Sequence, residues 1–189
     1  MIDGQVQSVR TDIILDSKTF RRLAQHIQSV YLAAIVSKSY DPVSSKTYST
    51  DVGIDLRPTG KFTVTKQPQL IPTGVKVAVF YPCVFFALVA RSSLPKKGLA
   101  ISHAYGMIDP DYRGEVYVWL HTIGSHDEVT ITPDDRIAQL VLMPYIPVGL
   151  NATIVWNSNI VFVQSEEIFN EWENIFPTER SSKGFGSTG

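Results

Sequence analysis

A single cysteine in 189 residues excludes a fold stapled by disulfides within the chain. Cys83 lies in the apolar run PCVFFALVA, where it reads as a small buried hydrophobe. Long apolar stretches are missing too: no run approaches the ~20 residues that a membrane-crossing helix requires. The opening segment MIDGQVQSVRTDII lacks a basic region followed by an apolar one, so the expected compartment is the cytoplasm, with no membrane contact. Net charge is nearly absent. Seventeen Lys and Arg stand against 18 Asp and Glu, a balance that gives little long-range attraction to a nucleic acid. A small anionic ligand would need locally gathered arginines and lysines. No glycine-rich turn opens a helix after a strand, which disfavours a doubly wound nucleotide-binding fold.

What is there suits one globular domain with appendages: 44% of residues are hydrophobic and 19% charged. From Asp16 to Ala34, Phe20, Leu23, Ile27, Val30 and Ala34 recur at three- and four-residue steps, which predicts a helix capped by Asp16 or Ser17. His26 beside that face is given no role. SKSYDPVSSKTYST reads as a loop. Beyond it, short β-type segments follow one another: KFTV, TGVKVAVF, CVFFALVA, GLAIS, EVYVWLHT, EVTIT, RIAQLVLM, ATIVW and NIVFV. Between them stand turn signals such as Ile71-Pro72-Thr73-Gly74 and Leu94-Pro95-Lys96-Lys97-Gly98. Many short strands with Gly and Pro punctuation describe an all-β sandwich or barrel. Ser165 caps a second short helix, with Glu166 and Glu167 in its first turn and Ile168, Trp172 and Ile175 as its apolar stripe; Pro177 ends it.

Chemistry gathers in Gly106-Met107-Ile108-Asp109-Pro110-Asp111-Tyr112-Arg113-Gly114-Glu115. Strand-like flanks make this a hairpin with two carboxylates, a tyrosine and an arginine at its tip. Pro110 pushes Asp109 into extended geometry, and Gly114 is expected to adopt a shape other residues resist. Alone, the stretch is an ordinary polar turn. The tail from Arg180 to Gly189 has no apolar periodicity and alone reads as a linker, yet it carries glycines, hydroxyls, two cations and Phe185, the tools for gripping a nucleotide.

Five stretches in order, STDVGIDL, ARSSLPKKGL, GMIDPDYRGE, DDRIAQLV and RSSKGFGSTG, resemble the trimeric dUTPase family across roughly Asp51 to Gly189. The resemblance implies a distorted jelly-roll subunit in a homotrimer, active sites shared between neighbouring chains, and Mg²⁺-dependent hydrolysis of dUTP to dUMP and pyrophosphate. The chain is read as four parts: a helical extension (1–40), the β domain (41–164), a short helix and connector (165–178) and a glycine-rich flexible arm (179–189), and nothing of the resemblance is carried onto the first helix or onto about 151–178. Asp109 would activate the attacking water. Tyr112 would lie against the deoxyribose and exclude a 2′-hydroxyl. Ser92, Ser93 and Gln139 would hold the phosphate chain, with Arg91 and Arg136 either touching the ligand or building the site through carboxylate pairs. Gly106 and Ile108 would line the uracil pocket through backbone groups. His103 stands where many members have asparagine, so its part in reading uracil is an open assignment. Asp55 would reach Mg²⁺ through water. In the arm, Phe185 would stack on uracil while Arg180, Lys183, Gly184, Gly186, Ser187 and Thr188 close on the nucleotide.

A dCTP deaminase shares the RSSL and IDP motifs, but deamination needs a glutamate on the strand after the central motif, and Trp119 stands there. A regulatory role on the same scaffold would use the N-terminal helix and the segment from Asn151 to Thr178 as a surface for an unknown protein partner; packing onto the β domain is the favoured reading of both.

Overall fold

The computed structural model describes residues 17–27, 32–40, 51–80, 83–145 and 159–183. The expected strand ATIVW, most of the Ser- and Thr-rich loop before Asp51, and Gly184, Phe185, Gly186, Ser187 and Thr188 lie outside them. Eleven strands and three short helices are found among the described residues. They run α1 Ser17–Ile27, β1 Leu32–Ser37, β2 Ile54–Leu56, β3 Phe62–Thr65, β4 Gln69–Val79, β5 Val84–Val89, β6 Leu99–Ile101, β7 Gly106–Ile108, β8 Glu115–Thr122, β9 Glu128–Ile131, β10 Ala138–Pro144, β11 Asn159–Gln164, α2 Glu166–Asn170 and α3 Trp172–Ile175. One sheet has the order β11-β1-β4-β8-β6 and a second β2-β10-β5-β7, with β3-β9 as a separate pair. The fold is the expected all-β, jelly-roll-like one.

Alternation explains the sandwich. Along β8, Val116, Val118 and Leu120 point inward and are fully buried, while Glu115, Tyr117 and Trp119 face out. They meet Ile71, Val75 and Val77 of β4 and Phe86, Leu88 and Leu140 of the second sheet in one core. Burying these side chains out of water is the main stabilising term, at about 1.5–3 kcal/mol each. Cys83 is buried and unbridged as expected, with its backbone at φ 66°.

The long N-terminal helix is corrected: α1 ends at Ile27, and LAAIVS is a strand, parallel to β11 and antiparallel to β4. Ala34 continued the helical spacing by coincidence. In β1, Ala33 and Ile35 face the main core, whereas Ala34 and Val36 face a second cluster under the helices. A strand buried on both faces reads as a continuous apolar run, which periodicity cannot separate from a helix. Residues 32–37 therefore belong to the β-sheet, beside the helix at 17–27.

The second cluster joins Phe20 and Ala24 of α1 to Ile168, Phe169, Trp172, Ile175 and Phe176. Trp172 stacks on Phe20 and donates its indole N–H to the carbonyl of Val77 (3.3 Å). The Ser165 cap is as expected, its Oγ accepting from the N–H of Ile168, but the helix breaks at Glu171 into α2 and α3. These elements pack on their own sheet through Phe20, Ala24, Ile168, Phe169, Trp172, Ile175 and Phe176. No described helix is long and apolar enough to cross a membrane.

Ile71-Pro72-Thr73-Gly74 is not a turn between strands but a bulge inside β4, where the register with β8 shifts between Pro72 and Lys76. Gly74 takes φ 65° there. The freed polar groups find partners: Thr73 Oγ1 donates to Val116 O (2.6 Å) and Gly74 N–H donates to the Glu115 carboxylate (2.8 Å).

Asp135 closes the β9–β10 turn, accepting from Thr132 N–H and hydroxyl and from Lys97. Burial pushes its carboxyl up, and Lys97 and Thr132 outweigh that, leaving it below the ordinary value. A carboxyl depressed in the folded state stabilises above its unfolded value and loses that contribution as pH falls through the folded one. Melting temperature should thus decline on acidification below the usual aspartate range, and Asp135→Asn should lower the neutral-pH melting point while flattening that decline.

Candidate functional site

Two clusters of the expected residues form, on opposite sides of β5. On one side β2, β10 and β5 lie in that order, with Gln139 opposite both Asp55 and Val89. Asp55 is 6% exposed. Its carboxylate accepts from Arg91 Nε (2.7 Å) and from an Arg136 Nη (3.2 Å). Arg91 thereby builds the site through a carboxylate pair, the second of its two expected roles, and two guanidinium groups are held beside Gln139. Ser92 is exposed and Ser93 half-buried on the turn closed by Leu94 N–H on Arg91 O (3.0 Å). A 3-10 turn, Pro95–Lys97, follows, and Gly98 at φ 72° reverses the chain. This corner gathers positive charge and exposed hydroxyls, the donors a phosphate chain takes.

Gly53 belongs to the same corner. A Cβ on it would meet Gln139 Oε1 at 2.3 Å, so glycine here leaves room for a side chain rather than for a turn. Gly53→Ala should displace the end of Gln139. We expect a rise of about tenfold in KM with the melting temperature nearly unchanged, checked by steady-state kinetics beside thermal melting.

The second cluster surrounds Asp109. The hairpin is more folded than its sequence suggested: β6 pairs with β8, but between them β7 crosses to the other sheet and pairs with β5, Ile108 opposite Phe86 and Gly106 opposite Leu88. Ile108 is buried at 3%, so its side chain fills core and only its backbone can meet a ligand. Gly106 sits under the His103 ring, 3.3 Å from Cε1 to where a Cβ would be. His103 Nδ1 is buried with no hydrogen-bond partner. Such an atom costs stability unless something supplies the bond, as an incoming polar edge beside β7 would.

Asp109 O accepts from Tyr112 N–H (3.1 Å), the expected turn at Pro110. Nearly half of the Asp109 side chain is exposed, and its carboxylate pairs with Arg180, which also lies 3.7 Å from Asp111. Tyr112, expected against the deoxyribose, is packed beside Arg180. It is 4% exposed, its hydroxyl donates to Glu115 O (2.8 Å), and the Arg180 guanidinium stands 5.9 Å from its ring centroid. No open ring face is offered to a sugar while Arg180 is there. Burial pushes the phenol above its ordinary value, so it stays neutral. Gly114 is corrected. It needs no positive φ; a Cβ there would strike Tyr112 Oη at 2.3 Å.

Arg113 was missed as a site builder. It is 3% exposed and has three carbonyl partners: Phe176 O (2.9 Å), Pro110 O (2.7 Å) and Tyr112 O (2.9 Å). Burial lowers its affinity for a proton to a value of about 10, so it remains charged near neutrality. Nothing in the local spacing marked Phe176 as its partner. Lys183 is exposed, in a turn with Arg180.

Among the described residues the carboxylates do not gather to hold a metal ion directly. Both Asp55 oxygens face arginines, and no group of three or more His, Cys, Asp or Glu gathers among the described residues. Asp55 is the anchor of an arginine pair, at the position from which a contact with Mg²⁺ through water is expected. Trp119 faces outward from β8 and offers no proton-transfer group.

Within one chain the clusters are far apart. Asp109 follows the residue opposite Phe86, while Gln139 is opposite Val89 on the other side of β5. That separates them by about 13 Å along the strands and about 10 Å across two strand spacings.

The dUTPase family model matches residues 39–155. The deoxyuridine 5'-triphosphate nucleotidohydrolase of Hahella chejuensis is 35% identical over 148 residues, covering 75% of this chain and 84% of that protein. The one from Legionella pneumophila is 31% identical over 170 residues, covering 86% and 97%. Among solved structures, the Streptococcus mutans dUTPase superposes with a TM-score of 0.51 at 26% identity, over 55% of this chain and 86% of that one. The EIAV dUTPase does so with 0.52 at 25%, over 66% and 96%.

Proposed function

The chain belongs to the dUTPase family, and on that premise we propose that it hydrolyses dUTP to dUMP and pyrophosphate, limiting uracil entry into DNA and supplying dUMP. The observation that carries this reading is the pair of half-sites, one rich in phosphate donors and one built around an exposed carboxylate. Asp109 takes a proton from water as the water oxygen bonds to the α-phosphorus, and the bond to the pyrophosphate oxygen breaks. Arg91, Arg136, Ser92, Ser93 and Gln139 offset the charge that grows on the phosphates. His103 and the backbone of β7 meet the uracil edge. Arg180 leaves Asp109 for the triphosphate, which carries more negative charge than one carboxylate, and the residues from Lys183 to Thr188 follow it. Once it has moved, the ring edge of Tyr112 faces the sugar. Asp55 would hold Mg²⁺ through water, and the ion would supply positive charge to the triphosphate.

Gln139 and Asp109 of one chain are too far apart to serve one phosphorus, so each site takes its phosphate corner from a second copy; the homotrimer is what the family resemblance implies for that assembly. Phe85, Met107, Met143 and Tyr145 on or beside the outward face of β5, β7 and β10 give that copy an apolar surface. The test offers dUTP, dCTP, dTTP and UTP with Mg²⁺ and assays pyrophosphate and ammonia separately. Pyrophosphate from dUTP alone is expected; ammonia from dCTP, or no product from any nucleotide, would overturn the reading.

A further inference from the structure

Lys76 is the one charged residue in β4. Val75 and Val77 on either side of it are buried in the main core, so alternation turns Lys76 to the opposite face, toward the cluster under the helices. Its neighbours across the strands are Val36 of β1 and Glu115 of β8. The side chain is half-buried, and its ammonium stands 4.5 Å from the ring centroid of Phe169, which is itself 3% exposed. Lys38, just past the end of β1, brings a second ammonium to 4.4 Å from the same centroid. One ring thus gathers two like charges, no more than about 9 Å apart.

Two carboxylates are near Lys76, but their bonds go elsewhere. Glu115 accepts from Gly74 N–H (2.8 Å) and Glu173 from the Ser181 hydroxyl. Among the described residues neither lysine has an ion pair. Burial is the largest influence on the Lys76 amine, and together with the charge of Lys38 it outweighs Glu173 and Glu115 and holds the amine below the ordinary lysine value. An amine that gives up its proton more readily keeps a lone pair available nearer neutrality. Desolvation beside a second cation is one of the ways in which a lysine nucleophile is activated. Lys38 is exposed, with no carboxylate on it, and its charge can meet an anion.

We propose that Lys76 is a site of covalent acylation, its amine attacking the carbonyl carbon of a small acyl phosphate while Lys38 faces the phosphate. The nitrogen–carbon bond forms as the carbon–oxygen bond to phosphate breaks; phosphate leaves with the electron pair, and the proton of the amine passes to water. The product is a neutral amide beside Phe169, which ends the repulsion between the two ammonium groups. The half-burial of Lys76 restricts the donor to a small acyl group. This modification is independent of the hydrolysis of dUTP.

The test treats the wild-type chain with acetyl phosphate over a series of pH values and follows the initial acetylation of each lysine by peptide mass spectrometry. Near neutral pH, Lys76 should be acetylated at least about fivefold faster than the exposed Lys61 and Lys96, and its rate should level off at a lower pH than theirs. Lys76 labelled no faster than those two, or with their pH profile, would overturn the proposal. Lys38→Gln should slow the labelling of Lys76 several-fold with an unchanged melting temperature, because it removes both the like charge and the phosphate contact. A Lys38→Gln chain labelled as fast as the wild type would also overturn it. With p-nitrophenyl acetate, an acyl donor that has no phosphate, the loss in Lys38→Gln should be smaller; an equal loss with the two reagents would overturn the choice of an acyl phosphate.

Discussion

Asp109→Asn is expected to lower kcat for dUTP by about 10²–10⁴-fold, the range for a positioned general base, while nucleotide binding survives. Asparagine keeps the size and the turn at Pro110 but cannot take a proton from water. The same change removes the carboxylate that holds Arg180 in the nucleotide-free chain. That pair is partly exposed, so its loss is worth up to about 1 kcal/mol. The freed guanidinium should therefore leave KM unchanged or lower it a few-fold. Single-turnover kinetics and nucleotide titration read the two effects separately, and a KM that rises in step with the loss of kcat would mean that Asp109 binds substrate rather than water.

The second large effect is expected from Asp55→Ala. Removing the carboxylate leaves Arg91 and Arg136 facing one another with no anion between them. Breaking a fully buried pair costs about 3–5 kcal/mol; with both arginines partly in water, about 2–3 kcal/mol is expected here. Activity should fall more steeply than stability, because the guanidiniums lose their aim at the phosphates. Asp55→Asn should restore most of the melting temperature and little of the activity. Equal loss of both properties in the two variants would make Asp55 a purely structural residue.

How far the sequence announces this structure depends on where each partner sits. A strand such as EVYVWLHT is legible because one face is buried and one is not, so alternation survives in the residues. LAAIVS is not, because β1 is covered on both sides. Pro72 and Gly74 look like a turn because turn chemistry and bulge chemistry use the same residues, and only the Glu115 and Thr73 hydrogen bonds distinguish them. The half-site residues Ser92, Gln139, Asp55 and Asp109 are legible as motifs. What they do in place is less so. The two arginines on Asp55, the burial of Tyr112 and the bond from Arg113 to Phe176 all join residues 36 to 81 positions apart or depend on such contacts. Local spacing has no way to record those distances.

The most direct test of convergent half-sites is complementation between Asp109→Asn and Gln139→Ala chains, each deficient as a homo-oligomer. Isolated mixed assemblies should recover dUTP hydrolysis to many times either parent, since one copy then supplies the carboxylate and another the phosphate corner. Mixed assemblies that are confirmed to hold both chains and stay as inactive as the parents would contradict the account.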